Sequence, residues 1–298
     1  NRCGSGQPER GGLLSTTFID KLREAQDRNR SWVCIGLDPV MGQLPACVQQ
    51  AENPLLAFGR AIVEATADVV SAFKPNLAFW LAEGLPGLAA LQGVIEAGPD
   101  GIPVILDGKF GDIGHTAAAY ARAAFDQLGA DAVTANPYLG VDALRPFLER
   151  AERGVFLLAR TSNPSARQVQ DLSIAGRPLF AEVARLAVAW QADFPGACGL
   201  VVGATYPQEL ETLRQAAQRL PFLIPGIGAQ GGSLAEAVLH GPTAEGVGPV
   251  INSSRGILFA SQGADFADDP LLVVRMPVRP GAVKPQVIHG AVARQQLR

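Results

Sequence analysis

The sequence has few of the residues on which metal and redox chemistry most often depend. Four cysteines occur in 298 residues, Cys3, Cys34, Cys47 and Cys198, and no two form a CxxC pair. The three histidines, His115, His240 and His289, do not cluster with them. That spacing supports neither a zinc site nor a disulfide framework, and a reducing cytoplasm is the expected compartment. A surplus of positive charge is missing too. With a formal net charge of −3 there is no basic footprint for nucleic acid, so any phosphate recognised is expected to be small and locally bound. No stretch of about 18 uninterrupted apolar residues occurs, and the start, NRCGSGQPERGGLLSTT, has no apolar core of signal-peptide length. Neither a membrane span nor a secretory leader is expected.

What is present is apolar. Hydrophobic residues make up 48% of the chain and charged residues 18%, which suits a large core and not a disordered chain. Length alone suggests about two domains, but α/β barrels of this size form one. Residues 1–16 are rich in Gly, Ser and Arg and are expected to be disordered. Residues 17–266 carry the regular pattern described next. Residues 267–298 form an atypical tail in which Pro270, Pro277, Pro280 and Pro285 preclude a regular long helix over 267–285. Any final helix is limited to about Ala291–Gln296.

Within the body, short apolar runs alternate with longer amphipathic stretches. The runs at 33–37, 72–74, 104–107, 132–135, 155–159, 200–202, 222–224 and 250–252 read as buried parallel strands. Helix-like segments lie between them, at 54–70, 116–128, 140–150, 179–192, 207–218 and 233–239. The alternation implies right-handed βαβ crossovers. Eight strands fit an open doubly wound sheet as well as a closed barrel. However, GLDP stands after the first run where a Gly-rich dinucleotide turn belongs. Asp38, Lys74, Asp107, Asn136, Arg160 and Asn252 recur at the run ends, which in a closed barrel all face one mouth. The expected fold is therefore α/β, a single-domain (β/α)8 TIM barrel.

The densest constellation is Asp107-Gly108-Lys109-Phe110-Gly111-Asp112-Ile113. On an extended strand end Asp107 and Lys109, two apart, point to the same side. Thr116 lies four residues beyond Asp112 and shares its face if a helix opens there. Two acids around a lysine also describe an ordinary solvated cluster. The position directly after IPVIL, with Asp38 and Lys74 following the two preceding runs, favours a functional ring of alternating charge instead. Such a ring keeps the lysines protonated and would be costly to desolvate as a purely structural device. Pro225 to Gly232 and Asn252 to Gly256 follow the seventh and eighth runs, the usual phosphate cradle of such barrels. Glycines there allow close backbone approach, and Arg255 supplies a charge-assisted fork.

DGKFGDIGHT resembles the D-x-K-x-x-D-I-x-x-T signature of orotidine 5'-monophosphate decarboxylases of the longer bacterial subfamily. GLDP, FKPN, TSNP, PGIGAQGG and NSSRG are similar to further motifs of that family, in the family's order, over roughly Phe18 to Phe266. The resemblance implies a cofactor-free enzyme that converts orotidine 5'-monophosphate to UMP and carbon dioxide in pyrimidine biosynthesis. It implies that Lys109 protonates C6 and that Asp107 sits beside the substrate carboxylate. Asp38 and Lys74 would bind the ribose hydroxyls, and Ser162 the pyrimidine. Gln230, Arg255 and the backbone at Gly231 and Ser254, with Pro225 opening the loop, would hold the phosphate. Asp112, Ile113 and Thr116 would reach into the second site of a homodimer. Phe110 departs from the subfamily's more usual arginine, so altered contacts at the dimer edge are expected. His115 reads as a helix-start residue facing solvent or the partner, and no thiol has an activating neighbour.

Two other readings make different predictions. Ketogulonate-phosphate decarboxylases and hexulose-phosphate synthases share the D-x-K-x-x-D core but hold magnesium with a carboxylate at the end of strand two, where this chain has Lys74. A barrel that only binds nucleotides predicts a broken ring of charge, yet the ring is complete in sequence. The loop after strand seven and residues 160–171 are the expected lids.

Overall fold

The computed structural model of the chain describes residues 16–227, 232–261, 263, 266–267, 272–275 and 286–289. The expectations of disorder over residues 1–15 and of a last helix over 291–296 lie outside the described residues. Eight parallel strands form one sheet: β1 (Val33–Leu37), β2 (Ala72–Pro75), β3 (Ile105–Phe110), β4 (Ala132–Ala135), β5 (Gly154–Arg160), β6 (Ala197–Val202), β7 (Phe222–Ile224) and β8 (Val250–Ser253). Their order is β2-β1-β8-β7-β6-β5-β4-β3. Isolated bridges from Phe73 to Val104 and from Asn76 to Asp107 join β2 to β3 and complete the ring.

Two apolar layers follow from the pleat, which sends alternate residues to opposite faces. Outward-facing residues such as Ile35, Phe73 and Leu106 pack against the surrounding helices. Inward, each strand contributes to a second layer, among them Cys34, Ile105, Phe156 and Leu223. Phe18 and Leu22 of α1 (Phe18–Asn29) belong to that inner layer and form its floor. This helix was not anticipated in the sequence. Thr17 caps it by accepting from the Asp20 N–H at 3.2 Å, and Phe18 meets the Phe156 ring edge-on at 5.7 Å. Gln26 then ties it to the segment leading into β8 by exchanging hydrogen bonds with the backbone of Gly248.

Around the ring lie α2 (Pro54–Thr66), α3 (Gly84–Glu96), α4 (Gly114–Ala121), α5 (Val141–Leu148), α6 (Leu179–Asp193), α7 (Pro207–Ala216), α8 (Leu234–His240) and α9 (Arg255–Leu258). The first of these shows why such segments are helical. Asn53 accepts from the Leu56 N–H, a proline occupies the first turn, and Leu55, Phe58, Ile62 and Val63 recur on one buried face. α4 starts two residues earlier than its pattern predicts and ends in a wider turn over Arg122–Gln127, where the Leu128 N–H reaches back to the Ala123 carbonyl. In the tail, Leu272–Arg275 pairs antiparallel with Gln286–His289. An extended segment therefore stands where the prolines argue against a long helix.

Candidate active site

Two residues beyond the inner apolar layer, the pleat brings Gly36, Lys74, Asp107, Thr134 and Asn252 to the inner face at the mouth. Gly36 has to be glycine, because a Cβ there would lie 2.7 Å from the Cβ of Ser254. The ends of β1 and β8 can approach only without it.

The end of β3 departs from a plain strand. Leu106 is in register with Val133 and Phe110 with Ala135, so Asp107, Gly108 and Lys109 together face the single residue Thr134. Lys109 takes φ 47°, a left-handed conformation that costs a side-chain-bearing residue about 1–2 kcal/mol. The bulge still brings the expected pair together, with Lys109 Nζ 2.8 Å from Asp107 Oδ1. Beyond the bulge Phe110 faces outward into the helix layer, where the ring packs at 5.9 Å from Phe147 and 5.3 Å from Tyr120. Phe110 is thus a core residue of this chain, 7% exposed.

Asp107 is the hub of the site. Its Oδ1 accepts from Lys109 Nζ at 2.8 Å and Thr134 Oγ1 at 2.7 Å. Its Oδ2 accepts from Lys74 Nζ at 3.0 Å and Asn76 Nδ2 at 3.5 Å. Burial alone would push this carboxyl up. The Lys74 and Lys109 ammoniums, with hydrogen bonds from Lys109 and Thr134, outweigh it and hold the group at about 2. Burial likewise pulls Lys74 down, but the negative charges of Asp107 and Asp38 prevail and hold it above its ordinary value. The two lysines differ in access. The Lys74 side chain is 5% exposed, whereas that of Lys109 is 50% exposed and free to meet a ligand in the mouth. Asp38 makes no ion pair with Lys74. Its Oδ1 accepts from the Asn76 N–H at 3.2 Å, so it joins the ring at longer range.

Cys34, on the inner face of β1 in register with Ala72, is pushed up to about 12 by burial, and Cys198 likewise. Neither thiol is a nucleophile near neutral pH. Among the described residues no three or more His, Cys, Asp or Glu side chains group as a metal site would require. Nor is any described helix long and apolar enough to cross a membrane.

The remaining sequence-derived candidates fall into separate groups. Asp112, Ile113 and Thr116 lie on the outer rim, with Ile113 59% exposed. The helix opens at Gly114 with Ile113 as its cap, so Asp112 stands outside it and does not share a helical face with Thr116. His115 is exposed beside them. Ser162 backs onto Gly203 at the end of β6. Pro225 accepts the Ala204 N–H at 3.0 Å, which fixes the start of the loop after β7. Gln230 and Gly231 lie outside the described residues. After β8, Arg255 is exposed, and Ser254 Oγ and Asn252 Oδ1 are buried with no hydrogen-bond partner among the described residues.

At the end of β4 Asn136 caps the turn that follows, accepting from the Tyr138 N–H at 3.0 Å. One strand-end residue does not face the mouth as expected. Arg160 is carried outward by a register shift after Leu158. It is fully buried between the rings of Phe180 and Tyr206, donating to Asp171 and Glu209. The segment after β5, read as a lid, is pinned at Asp171 by this buried cation. Sequence reasoning missed Thr134 altogether. Its one signal is a polar residue inside the apolar run AVTA of β4.

Residues 32–268 match the family described as "Orotidine 5'-phosphate decarboxylase / HUMPS family". The chain is 49% identical over 253 residues to the orotidine 5'-phosphate decarboxylase of Herpetosiphon aurantiacus, covering 84% of this chain and 92% of the relative. Among solved structures, Leishmania donovani OMP decarboxylase superposes with a TM-score of 0.74 at 40% identity, covering 85% of this chain and 95% of that one. Leishmania donovani UMP synthase gives 0.75 at 42% identity, over 85% of this chain and only 54% of that longer protein.

Proposed function

This chain belongs to the orotidine 5'-phosphate decarboxylase / HUMPS family, and from that premise we propose how the mouth of its barrel carries out the reaction. The enzyme is an orotidine 5'-phosphate decarboxylase, a carboxy-lyase of pyrimidine biosynthesis that converts orotidine 5'-monophosphate to UMP and carbon dioxide. The observation that carries the site assignment is Asp107 held between two ammoniums, one buried and one open to the mouth.

Breaking the bond between C6 and the carboxylate leaves an electron pair on an sp² carbon with little delocalisation. Lys109 faces that pair, stabilises it electrostatically and delivers an ammonium proton to C6 as carbon dioxide leaves. It then regains a proton from water. Asp107 lies beside the substrate carboxylate, and their mutual repulsion is relieved as neutral carbon dioxide forms. Lys74 is too enclosed to exchange protons readily, and it fixes Asp107 while it and Asp38 bind the ribose hydroxyls. Ser162 contacts the pyrimidine. The phosphate is held by Arg255, Ser254, Gln230 and Gly231, with Pro225 setting the loop. The buried, unpartnered Ser254 Oγ supports that assignment. Binding energy from this remote group positions the base over Lys109.

The protein acts as a homodimer in which Asp112, Ile113 and Thr116 of one subunit complete the ribose site of the other. Exposed Ile113, Tyr120, Tyr138 and Leu139 on the segments after β3 and β4 support such an interface. The unpaired cysteines Cys34, Cys47 and Cys198 support a cytoplasmic location. Lys74 at the end of β2 argues against the magnesium-dependent members of the family, because its charge repels a divalent cation. An absorbance assay with orotidine 5'-monophosphate, with and without a chelator, tests this reading. Turnover unaffected by the chelator is expected. Binding without turnover, or turnover lost to the chelator, contradicts it.

A further inference from the structure

We propose that Thr134 is a positioning residue for decarboxylation, its hydroxyl coupling the backbone of Lys109 to the carboxylate of Asp107. The inference rests on the roles given above to those two residues. Thr134 is 1% exposed on β4, opposite the three residues of the bulge. Its Oγ1 accepts from the Lys109 N–H at 3.0 Å and donates to Asp107 Oδ1 at 2.7 Å.

One hydroxyl thereby serves two needs that the bulge creates. The register jump from Leu106 to Phe110 takes the Lys109 N–H out of the strand ladder, and a buried N–H without an acceptor is costly. The same bulge puts Lys109 at φ 47°, a conformation that persists only where its surroundings over-determine it. Because the Thr134 proton goes to Asp107, a lone pair of the same oxygen is left to receive the Lys109 N–H. The acid and the carboxylate are thus referenced to one atom. A valine of the same shape keeps the packing and loses both bonds. Lys109 can then relax from its left-handed conformation, and its ammonium loses a fixed place relative to C6. The ribose and phosphate contacts assigned above arise mainly from β1, β2, β7 and β8, away from β4, so binding is largely spared.

The test compares Thr134→Val, Thr134→Ser and Lys109→Ala by steady-state kinetics, with UMP titration as a measure of the folded site. In Thr134→Val, kcat is expected to fall about 10²-fold, the scale of a misplacement of roughly 1 Å, with KM and UMP affinity within about threefold of wild type. Thr134→Ser, which keeps the hydroxyl, is expected to recover kcat to within about threefold. Wild-type kcat in Thr134→Val beside an inactive Lys109→Ala overturns the role of Thr134 alone. Near-normal turnover in Lys109→Ala overturns the catalytic reading and this inference with it. If Thr134→Val does not bind UMP, Thr134→Ser decides. Retained kcat supports the hydroxyl, and a kcat as low as that of Lys109→Ala refutes it.

Discussion

Lys74 and Asp107 come from the two strands that close the barrel, and their side chains meet at 3.0 Å where the backbone contributes only isolated bridges. The pair therefore holds the seam of the ring as well as the centre of the site. Removing Asp107 takes the direct partner from the buried Lys74 ammonium, which makes the pair a stability element with a pH signature.

That signature follows from Asp107. Its carboxyl is depressed to about 2 from an ordinary value of 3.8. A depressed acid contributes stability above its unfolded value and loses it as pH falls through the folded one. The contribution, on the order of 2 kcal/mol, is thus complete above about pH 5 and lost progressively toward pH 2. Urea unfolding of the wild type and Asp107→Asn across that range measures it. The difference between them should shrink as pH falls, and a constant difference would contradict the assignment.

Arg160 should behave as a structural clamp and not as a substrate ligand. It is fully buried, whereas Glu209 is 23% and Asp171 43% exposed. Glu209→Ala strips the more enclosed partner from a desolvated guanidinium and is expected to cost roughly 3 kcal/mol. Asp171→Ala removes the more solvated partner and is expected to cost about 1 kcal/mol or less. Denaturant midpoints for the two variants check the ranking. Equal losses would show that burial of the partner does not set the cost.

If Asp112 serves the neighbouring subunit, two inactive variants should complement each other. In a dimer of one Lys109→Ala and one Asp112→Ala chain, one site inherits both defects and the other neither. Random exchange of equal amounts should restore about a quarter of wild-type activity, since half the dimers are hybrid and half their sites intact. Absence of recovery after verified subunit exchange would place Asp112 in its own chain's site.

Most of the barrel was legible because β1 and β7 are short runs without polar side chains whose ends coincide with the end of their hydrophobic pattern. The charged residues of the mouth were legible for the same reason, as each directly follows such a run. α1 was not, because its buried positions Phe18, Leu22, Ala25 and Gln26 include few large apolar residues and it covers the barrel floor, not its flank. The direction of Arg160 was also hidden. It follows an irregularity in strand register after Leu158, and a shift of one residue reverses the face that a side chain takes. Thr134 escaped notice because its importance lies in the backbone of a different strand.

The central claim is that Lys109 is the acid of a decarboxylation driven by the protein's own charges. Turnover of orotidine 5'-monophosphate by Lys109→Ala, measured by absorbance alongside UMP binding to the same preparation, tests it most directly. With the phosphate site on the opposite wall, UMP binding should persist while turnover falls to the limit of detection. Near-normal turnover in a variant that binds UMP would contradict the account.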